Sequence, residues 1–468
     1  MKRQTVTLLL ALAALSPAAA QAPGDTLRLT LDAALRRALD QSFAMRLARA
    51  DQAEANGQVR EALSAALPQL TSSITYTRQF ASIYQGLGGA DTSPLTKLFR
   101  NTPFGAPNLW TVQLQGTQLL WAGGKVGAGL AAARTVRQAA SLNQAETATD
   151  VAFQVTEAYW NAALQDRLLA IATDNLDQAR RQLHQVQLFR QAGTRAEYDL
   201  LRAQVDAANQ EPAVVQAMNG HDLAVLELKR LLNLPADRPV TLETALESSD
   251  TTIPVLTTDS LGAPQRPGLA AADLAVTGRE QLLSATRADR WPVLSMSTTY
   301  TEQSFPQTIF PAGSDVFHRG WSGELKFSFP IFLGFRTEAR VEQARAAVQR
   351  AEAQRDQLRR RVEFEVAQAK ADVAAARALL AARRETVRQA ARAHYLAGVR
   401  YANGMTTQLE VSDARIASQQ AAVNEVQATR DYLVALARLE WALGRPVPVV
   451  RQPIDRLTQT LNVKDRQP

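Results

Sequence analysis

The residue types that could carry out catalysis are few and scattered along this 468-residue chain. It contains no cysteine, no Gly-x-Ser-x-Gly nucleophile motif and no phosphate-binding glycine loop. Its histidines show none of the spacings that bind a metal, such as His-Glu-x-x-His. The four histidines are His184, His221, His318 and His394. We therefore predict that the protein is not an enzyme and has neither a cofactor nor a metal site.

Two carboxylates, Glu410 and Asp413, are the candidates for an electrostatic function. At positions i and i+3 of a predicted helix they would share one face. Such a face could act on charged solutes, or it could be an ordinary solvated surface on an exposed helical turn. The spacing alone leaves both interpretations open. The predicted secondary structure around the pair is therefore needed to choose between them.

An internal repeat dominates the chain. Residues 67–77 match residues 291–301 at a shift of 224, and residues 110–235 match residues 321–446 at a shift of 211 without a gap. The second register aligns Trp110 with Trp321 and Gly193 with Gly404. Because no gap interrupts it, we predict helices of equal length in the two halves.

Each repeat predicts two strands followed by a very long helix. Residues 108–211 and 331–445 contain no proline, and small apolar residues recur there at heptad spacing, which is typical of closely packed, coiled-coil-like helices. The stripe comprises Val151, Val155, Ala158, Ala162 and Leu169 in the first copy, and Val362, Val366, Ala369, Val373, Ala376 and Leu380 in the second. The segments between the turn glycines, Gly123 to Gly193 and Gly334 to Gly404, would each span roughly 105 Å. The flanking helices, near Leu29–Ala66 and Ala196–Pro235, are about half as long.

Four segments have the length and alternation of membrane-spanning β-strands. They are Leu70–Phe80, Trp110–Leu120, Leu294–Thr301 and Trp321–Ile331. Aromatic residues concentrate at the ends of these strands, as in the interfacial girdles of a membrane protein. A soluble sheet with one face on a helical layer would explain the alternation but not the girdles. Because lipid does not tolerate unpaired strand edges, four strands require other copies of the chain to complete a barrel.

The N-terminus predicts export from the cytoplasm. Lys2 and Arg3 precede an apolar run, and Ala18-Ala19-Ala20 provides a small-residue cleavage site. No later stretch is long and apolar enough for a transmembrane helix. The formal net charge of +7 does not indicate nucleic-acid binding, because the basic residues alternate with acidic ones along helices.

With these features the chain resembles the TolC family of outer-membrane efflux ducts over essentially its whole mature length. The motifs that open the first helix and its counterpart are Leu29-Thr30-Leu31-Asp32-Ala33-Ala34-Leu35 and Arg266-Pro267-Gly268-Leu269. The motifs of the two helix tips are Gly193-Thr194-(x)4-Asp199-Leu200-Leu201-x-Ala203 and Tyr401-(x)2-Gly404-Met405-(x)4-Glu410-Val411-x-Asp413-Ala414.

The resemblance implies a mainly α fold with a membrane β-barrel contribution, in which a homotrimer forms a 12-stranded barrel and a twelve-helix periplasmic cylinder. It implies a duct in the lipid of the cell outer membrane that extends into the periplasm and exports small molecules or proteins. Its implied partners are a periplasmic adaptor protein and an inner-membrane transporter. Two alternatives stay open: a periplasmic adaptor, which should carry one hairpin and a β-rich body, and a stand-alone porin.

The resemblance also assigns roles to residues at the helix tips. Asp199 and Tyr401 take the positions of the family's periplasmic gate contact, whereas Thr406 stands where the family has an arginine. Arg195, the repeat partner of Thr406, offers a transposed gate contact. Glu410 and Asp413 match the family's inward-facing acidic ring, in which three copies gather six carboxylates and favour cations. The residues expected to contact the adaptor are Gly193, Thr194, Gly404 and Met405.

These assignments divide the chain into nine segments. They are a signal peptide at 1–20, N-terminal periplasmic helices at 21–66, a first outer-membrane strand pair at 67–121, a first long helical hairpin at 122–235, an equatorial linker at 236–267, a helix of the second repeat at 268–290, a second strand pair at 291–333, a second long hairpin at 334–445, and a C-terminal equatorial tail at 446–468.

Overall fold

The computed structural model describes residues 26–81, 106–194, 196–243, 264–306, 308–311 and 317–445. The predicted signal peptide, Arg195, residues 244–263 of the predicted linker and the predicted tail at 446–468 lie outside the described residues.

Helices make up most of the described chain, and they follow the predicted repeat. The helices are α1 (Leu31–Gln41), α2 (Phe43–Ser64), α3 (Lys125–Gln191), α4 (Glu197–Leu231), α5 (Pro267–Arg287), α6 (Arg336–Ala402) and α7 (Gln408–Ala442). The strands are β1 (Leu27–Leu29), β2 (Gln69–Arg78), β3 (Asn108–Trp121), β4 (Val240–Leu242), β5 (Val293–Ser304) and β6 (Phe317–Ser328).

The two halves have helices of identical length, as the gap-free register predicts. Helices α3 and α6 have 67 residues each, about 100 Å at the rise of an α-helix, and α4 and α7 have 35 residues each. The returning helices also end alike, since Asn233 and its repeat partner Gly444 both adopt a positive φ after the last turn. This left-handed conformation satisfies carbonyl groups that a helix end would otherwise leave free.

The predicted N-terminal helix near Leu29–Ala66 is interrupted. It is divided into α1 and α2 at Ser42, which has extended backbone and accepts a hydrogen bond on its side chain from the Met45 amide (3.3 Å). A serine in this position caps the new helix, because its hydroxyl satisfies one of the first amides that have no partner within the helix.

The chain forms two compact units. Among the described residues, the first comprises 26–38, 155–194, 196–243 and 380–431. Its core contains fully buried Leu35, Val155 and Leu232. There the buried Tyr159 hydroxyl donates to the Leu29 carbonyl (3.0 Å), beside the parallel pair of β1 and β4.

The second unit comprises the described residues within 39–154, 264–379 and 432–445. It contains an antiparallel sheet with strand order β2-β3-β5-β6. The central pair, β3 with β5, joins the strands of one repeat to those of the other. Within this sheet of described residues, β2 and β6 are the edge strands. The predicted strands are therefore confirmed, with ends that differ by up to four residues.

The strand register separates the sheet into two faces. One cross-strand row aligns Ser72, Leu114, Tyr300 and Trp321, and a neighbouring row aligns Ser73, Gln113, Thr301 and Gly320. The face of the first row is mainly apolar along its length, whereas the face of the second is polar. We call the first the apolar face; its members include Leu70, Ile74, Tyr76, Leu114, Tyr300, Trp321, Leu325 and Phe327. Two of them, Ile74 and Trp321, are 71% and 82% exposed in the single chain.

A buried ionic network in the second unit explains the Arg266-Pro267-Gly268 motif. The Arg266 side chain, 9% exposed, forms ion pairs with Glu146 and Glu365 and lies 4.3 Å from the ring centroid of Trp441. The Gly268 amide donates to the other Glu146 oxygen (3.0 Å). Proline at the first helical position suits the start of α5 because that residue needs no amide partner.

None of the described helices combines the length and the apolar character that crossing a membrane requires.

Candidate functional site

The two long helices end in turns of the same geometry. Gly193 and Gly404 have φ values of +73° and +72°, a conformation that L side chains rarely adopt. After each glycine, the amide of the next residue donates to a carbonyl five residues earlier, Thr194 to Phe189 and Met405 to Arg400, both at 2.9 Å. These are Schellman motifs, in which the glycine ends the helix and directs the chain into the next one.

The residues predicted to contact an adaptor are exposed at these turns. Gly193, Thr194 and Gly404 are exposed, and the Met405 side chain is 62% exposed. The Thr194 hydroxyl donates to the Phe189 carbonyl (2.8 Å), which adds to the closure of the first turn. The contact of these residues with an adaptor protein stays a prediction.

The predicted gate residues lie at the ends of the same helices. Asp199 is in the first turn of α4, half-buried, where a carboxylate is favoured by the positive end of the helix dipole. Tyr401 is in the last turn of α6 and is buried. Arg195 lies outside the described residues, so the transposed contact stays a prediction.

Of the two predicted ring carboxylates, Glu410 has partners within its own chain. Its carboxylate accepts a hydrogen bond from the Thr406 hydroxyl and lies 3.6 Å from a guanidinium nitrogen of Arg400. Both members of this ion pair are more than half exposed, so solvent screens it and it adds little stability. Asp413 is exposed on the first turns of α7. Thr406 therefore contacts the predicted ring.

Sequence reasoning missed a polar cluster between the hairpins formed by α3 with α4 and by α6 with α7. Gln182 donates its side-chain amide to Gln408 (2.9 Å), and the Ser412 hydroxyl donates to a carboxylate oxygen of Asp206 (3.0 Å). A guanidinium nitrogen of Arg415 lies 3.6 Å from the same oxygen. With His394, which lines the same cavity, these residues form what we call the tip cluster: Gln182, Asp206, His394, Gln408, Ser412 and Arg415.

The tip cluster surrounds a cavity of ≈ 310 Å³. Arg415, Gln408 and Ser412 are all buried. Burial lowers the pKa of the His394 imidazole, and the positive charge of Arg415 lowers it further. The cavity thus holds one ion pair beside an imidazole that remains neutral more readily than usual.

A signal for this cluster is present in the sequence. Gln408, Val411, Ser412 and Arg415 follow the 3-4 spacing of a helix face that packs, and all four are buried. A polar residue in such a core position needs a partner on the facing helix. The partner of Ser412 is Asp206, which lies 206 residues earlier in the chain, so no local motif connects the two.

Comparison with known proteins establishes the family. The family model for outer membrane efflux proteins matches residues 34–234 and 263–445. The chain belongs to the outer membrane efflux protein family. The resemblance predicted from the tip motifs and the repeat is thereby confirmed, and members of this family are outer membrane proteins.

A sequence relative supports this membership over part of the chain. Protein CyaE of Bordetella pertussis is 30% identical over 227 residues, a match that covers 48% of this chain and 47% of that protein. The chain therefore spans about half the length of the curated relative that it matches.

Solved structures of channels share the fold of this efflux family member. The Campylobacter jejuni CmeC outer membrane channel superposes with a TM-score of 0.73 at 17% identity, covering 91% of this chain and 89% of that one. The Vibrio cholerae outer membrane protein VceC gives a TM-score of 0.70 at 20% identity, covering 89% and 96%. The open state of the Neisseria gonorrhoeae MtrE outer membrane channel gives 0.67 at 20% identity, covering 89% of each chain. The predicted fold class is confirmed.

Proposed function

We propose that three copies of this chain form a duct that exports small molecules or proteins across the outer membrane. In this proposal the strands of the three copies close one barrel in the lipid, and the helices extend into the periplasm. There the helix tips dock with a periplasmic adaptor protein that is served by an inner-membrane transporter.

The observation that carries the proposal is the sheet. Its apolar face exposes Trp321, Ile74 and Leu325 in the single chain, and its edge strands β2 and β6 each have one neighbour among the described residues. Water disfavours the exposed face, and lipid does not tolerate open backbone edges. Pairing β2 of one copy with β6 of the next would close the backbone edges, and the closed barrel would place its apolar face against lipid.

The two rival functions fit the chain less well. A periplasmic adaptor needs one long hairpin, whereas this chain has two hairpins of equal length. A stand-alone porin has no use for helices of 67 residues. The family membership and the solved channels support a duct over both alternatives.

Membrane fractionation with cross-linking, followed by recording in planar bilayers, tests the proposal. We expect the full chain in the outer-membrane fraction, cross-linked as a trimer, and we expect the purified trimer to conduct ions. Recovery as a soluble monomer, or a trimer that never conducts, would refute the duct.

Within this duct we propose that the predicted tip residues control its periplasmic end. Asp199 and Tyr401 would hold the gate, Arg195 would supply the basic group that Thr406 lacks, and Glu410 and Asp413 would form the acidic ring. One solved relative supports a duct that can open, because the MtrE channel was solved in an open state. Asp199→Ala or Tyr401→Phe should then raise the resting conductance.

The acidic ring has its own test, block of the channel by a multivalent cation. Asp413→Ala should weaken the block more than Glu410→Ala, since Arg400 already offsets part of the Glu410 charge. The double variant should weaken it most. The Glu211→Ala control removes an exposed carboxylate of α4 that pairs with Arg180 in the same hairpin. Unchanged block in the double variant would remove both residues from the constriction.

A further inference from the structure

We propose that Asp206, Ser412 and Arg415 form a clamp that joins the two hairpins of one chain and holds the periplasmic end of the duct closed. This inference rests on the proposed function. It assigns the closing contact to residues outside those that the family resemblance indicates.

The geometry places one carboxylate between two donors of the other hairpin. Asp206 lies on α4 of the first hairpin, and both Ser412 and Arg415 lie on α7 of the second. The Ser412 hydroxyl is 3.0 Å and the Arg415 guanidinium 3.6 Å from the same Asp206 oxygen. Because hydrogen bonds to a charged group are stronger than neutral ones, this carboxylate links the hairpins more strongly than the amide contact of Gln182 with Gln408.

The clamp has no equivalent at the repeat-related positions. At the shift of 211, Asp206 corresponds to Ala417, and Arg415 and Ser412 correspond to Gln204 and Leu201. The contact is therefore made once per chain.

Not every polar group of the clamp has a hydrogen-bond partner, as expected of a contact that must break when the duct opens. The Arg415 side chain is 9% exposed, yet its other terminal nitrogen has no hydrogen-bond partner among the described residues. Asp206 is partly exposed and faces a cavity of ≈ 310 Å³. A buried ion pair contributes little net stability when its remaining donors are unpaired, because desolvation opposes the attraction between the charges. The closed arrangement is thus held by a small margin, although loss of either partner would still be costly.

Charge reversal in the full-length trimer tests the clamp. Asp206→Arg and Arg415→Asp should each raise the resting conductance by roughly ten-fold, as loss of a charged hydrogen bond predicts. The double variant Asp206→Arg/Arg415→Asp should return it toward the wild-type value. If either single reversal conducts like the wild type, or if the double variant stays as open as the single variants, the clamp is wrong.

The matched control is the Arg180–Glu211 pair (3.0 Å), which is exposed and joins α3 to α4 within the first hairpin. Its reversal should leave the resting conductance within about two-fold of wild type, as expected of an exposed pair. An increase equal to that of the clamp variants would show that any charge change at this end opens the duct, and would overturn the assignment.

A second measurement does not depend on how the reversed variants fold. The natural chain has no cysteine, so Asp206→Cys/Ser412→Cys introduces one reactive pair. We expect oxidation or a short thiol cross-linker to join the pair in the resting trimer and to abolish the openings that a transmembrane voltage induces, with recovery after reduction. No cross-link, or a cross-linked duct that still opens, would contradict the clamp. A wild-type trimer that never conducts would overturn the proposed function and the clamp together.

Discussion

A charged side chain on the packing face of a helix is unfavourable unless its partner is fixed by the fold. Arg415 meets this condition through Asp206, although only one of its terminal nitrogens is engaged. Replacing both residues by apolar ones would fill the same space with less desolvation. Polar pairs of this kind instead fix which helices associate and in which register, as a single polar core residue does in a coiled coil.

His394 should make the closure of the duct dependent on pH. Burial lowers the pKa of His394 where the clamp is formed, and the positive charge of Arg415 lowers it further. The groups that line its cavity are Arg181 from α3, Asp206 from α4 and Arg415 from α7. In an open arrangement the imidazole regains water and a pKa near its ordinary value of about 6.5. Protonation therefore favours the open arrangement, and the resting conductance should rise as the pH falls below about 6.5.

Bilayer recording between pH 7.5 and 5 measures this dependence. His394→Gln, which keeps a neutral polar side chain at all pH values, should lose most of the rise. The control His184→Gln changes an exposed histidine of α3 and should keep it. An unchanged pH slope in His394→Gln would show that another group is responsible.

At the scale of the elements, the glycine turns should be more sensitive to substitution than any neighbouring glycine of the helix. Gly404→Ala forces a Cβ into the left-handed conformation and should destabilise the turn by about 1 kcal/mol, with no steric clash to add to this. Gly398→Ala, inside α6 and with nothing within 4 Å of the new Cβ, should stabilise the helix by about 1 kcal/mol. Thermal unfolding of the detergent-solubilised trimer should therefore shift in opposite directions. Shifts of the same sign would contradict the backbone argument.

The Arg266 network should contribute much more to stability than an exposed ion pair. Arg266→Met leaves the partly buried carboxylates of Glu146 and Glu365 without their shared cation and should cost about 3–5 kcal/mol. Arg340→Met removes an exposed partner of Asp289 (3.9 Å) and should cost less than about 1 kcal/mol. Denaturant unfolding of the two variants compares them directly, and equal losses would mean that the network has no special role.

The elements were predictable because their signals are local or repeated. Glycine before and after a proline-free segment marked both ends of α3 and α6, and the shift of 211 transferred each boundary from one half to the other. The break at Ser42 was missed because apolar periodicity continues through it, and only the capping hydroxyl reveals the new helix.

The candidate site was predictable only in part. The tip motifs located both turns, but Asp206 and Arg415 have no repeat partners of the same type and meet only through the fold. The ion pair of Glu410 with Arg400 was likewise invisible, since it joins two helices across a turn. Contacts between distant segments depend on helix rotation, which spacing within one segment does not specify.

At the scale of the whole molecule, the sheet is the part of the described chain whose strand edges and apolar face lack partners. Its apolar face would cost free energy in water, and the same face would lower it in lipid. Substituting two neighbouring residues of β6, one on each face, distinguishes this effect from a general effect of added charge. Leu325 pairs with Met296 on the apolar face, and Glu324 pairs with Ser297 on the polar face.

Leu325→Lys should prevent insertion, whereas Glu324→Lys should permit it. A lysine that faces lipid costs about 2–4 kcal/mol at the bilayer midplane, and a trimer would carry this cost three times. A lysine on the opposite face would meet water inside the barrel and replace a charge that is already there. The fraction of each variant that fractionates with the outer membrane as a cross-linkable trimer measures the difference. Equal insertion of the two variants would mean that the apolar face does not contact lipid, because the two positions are adjacent on one strand and both are exposed.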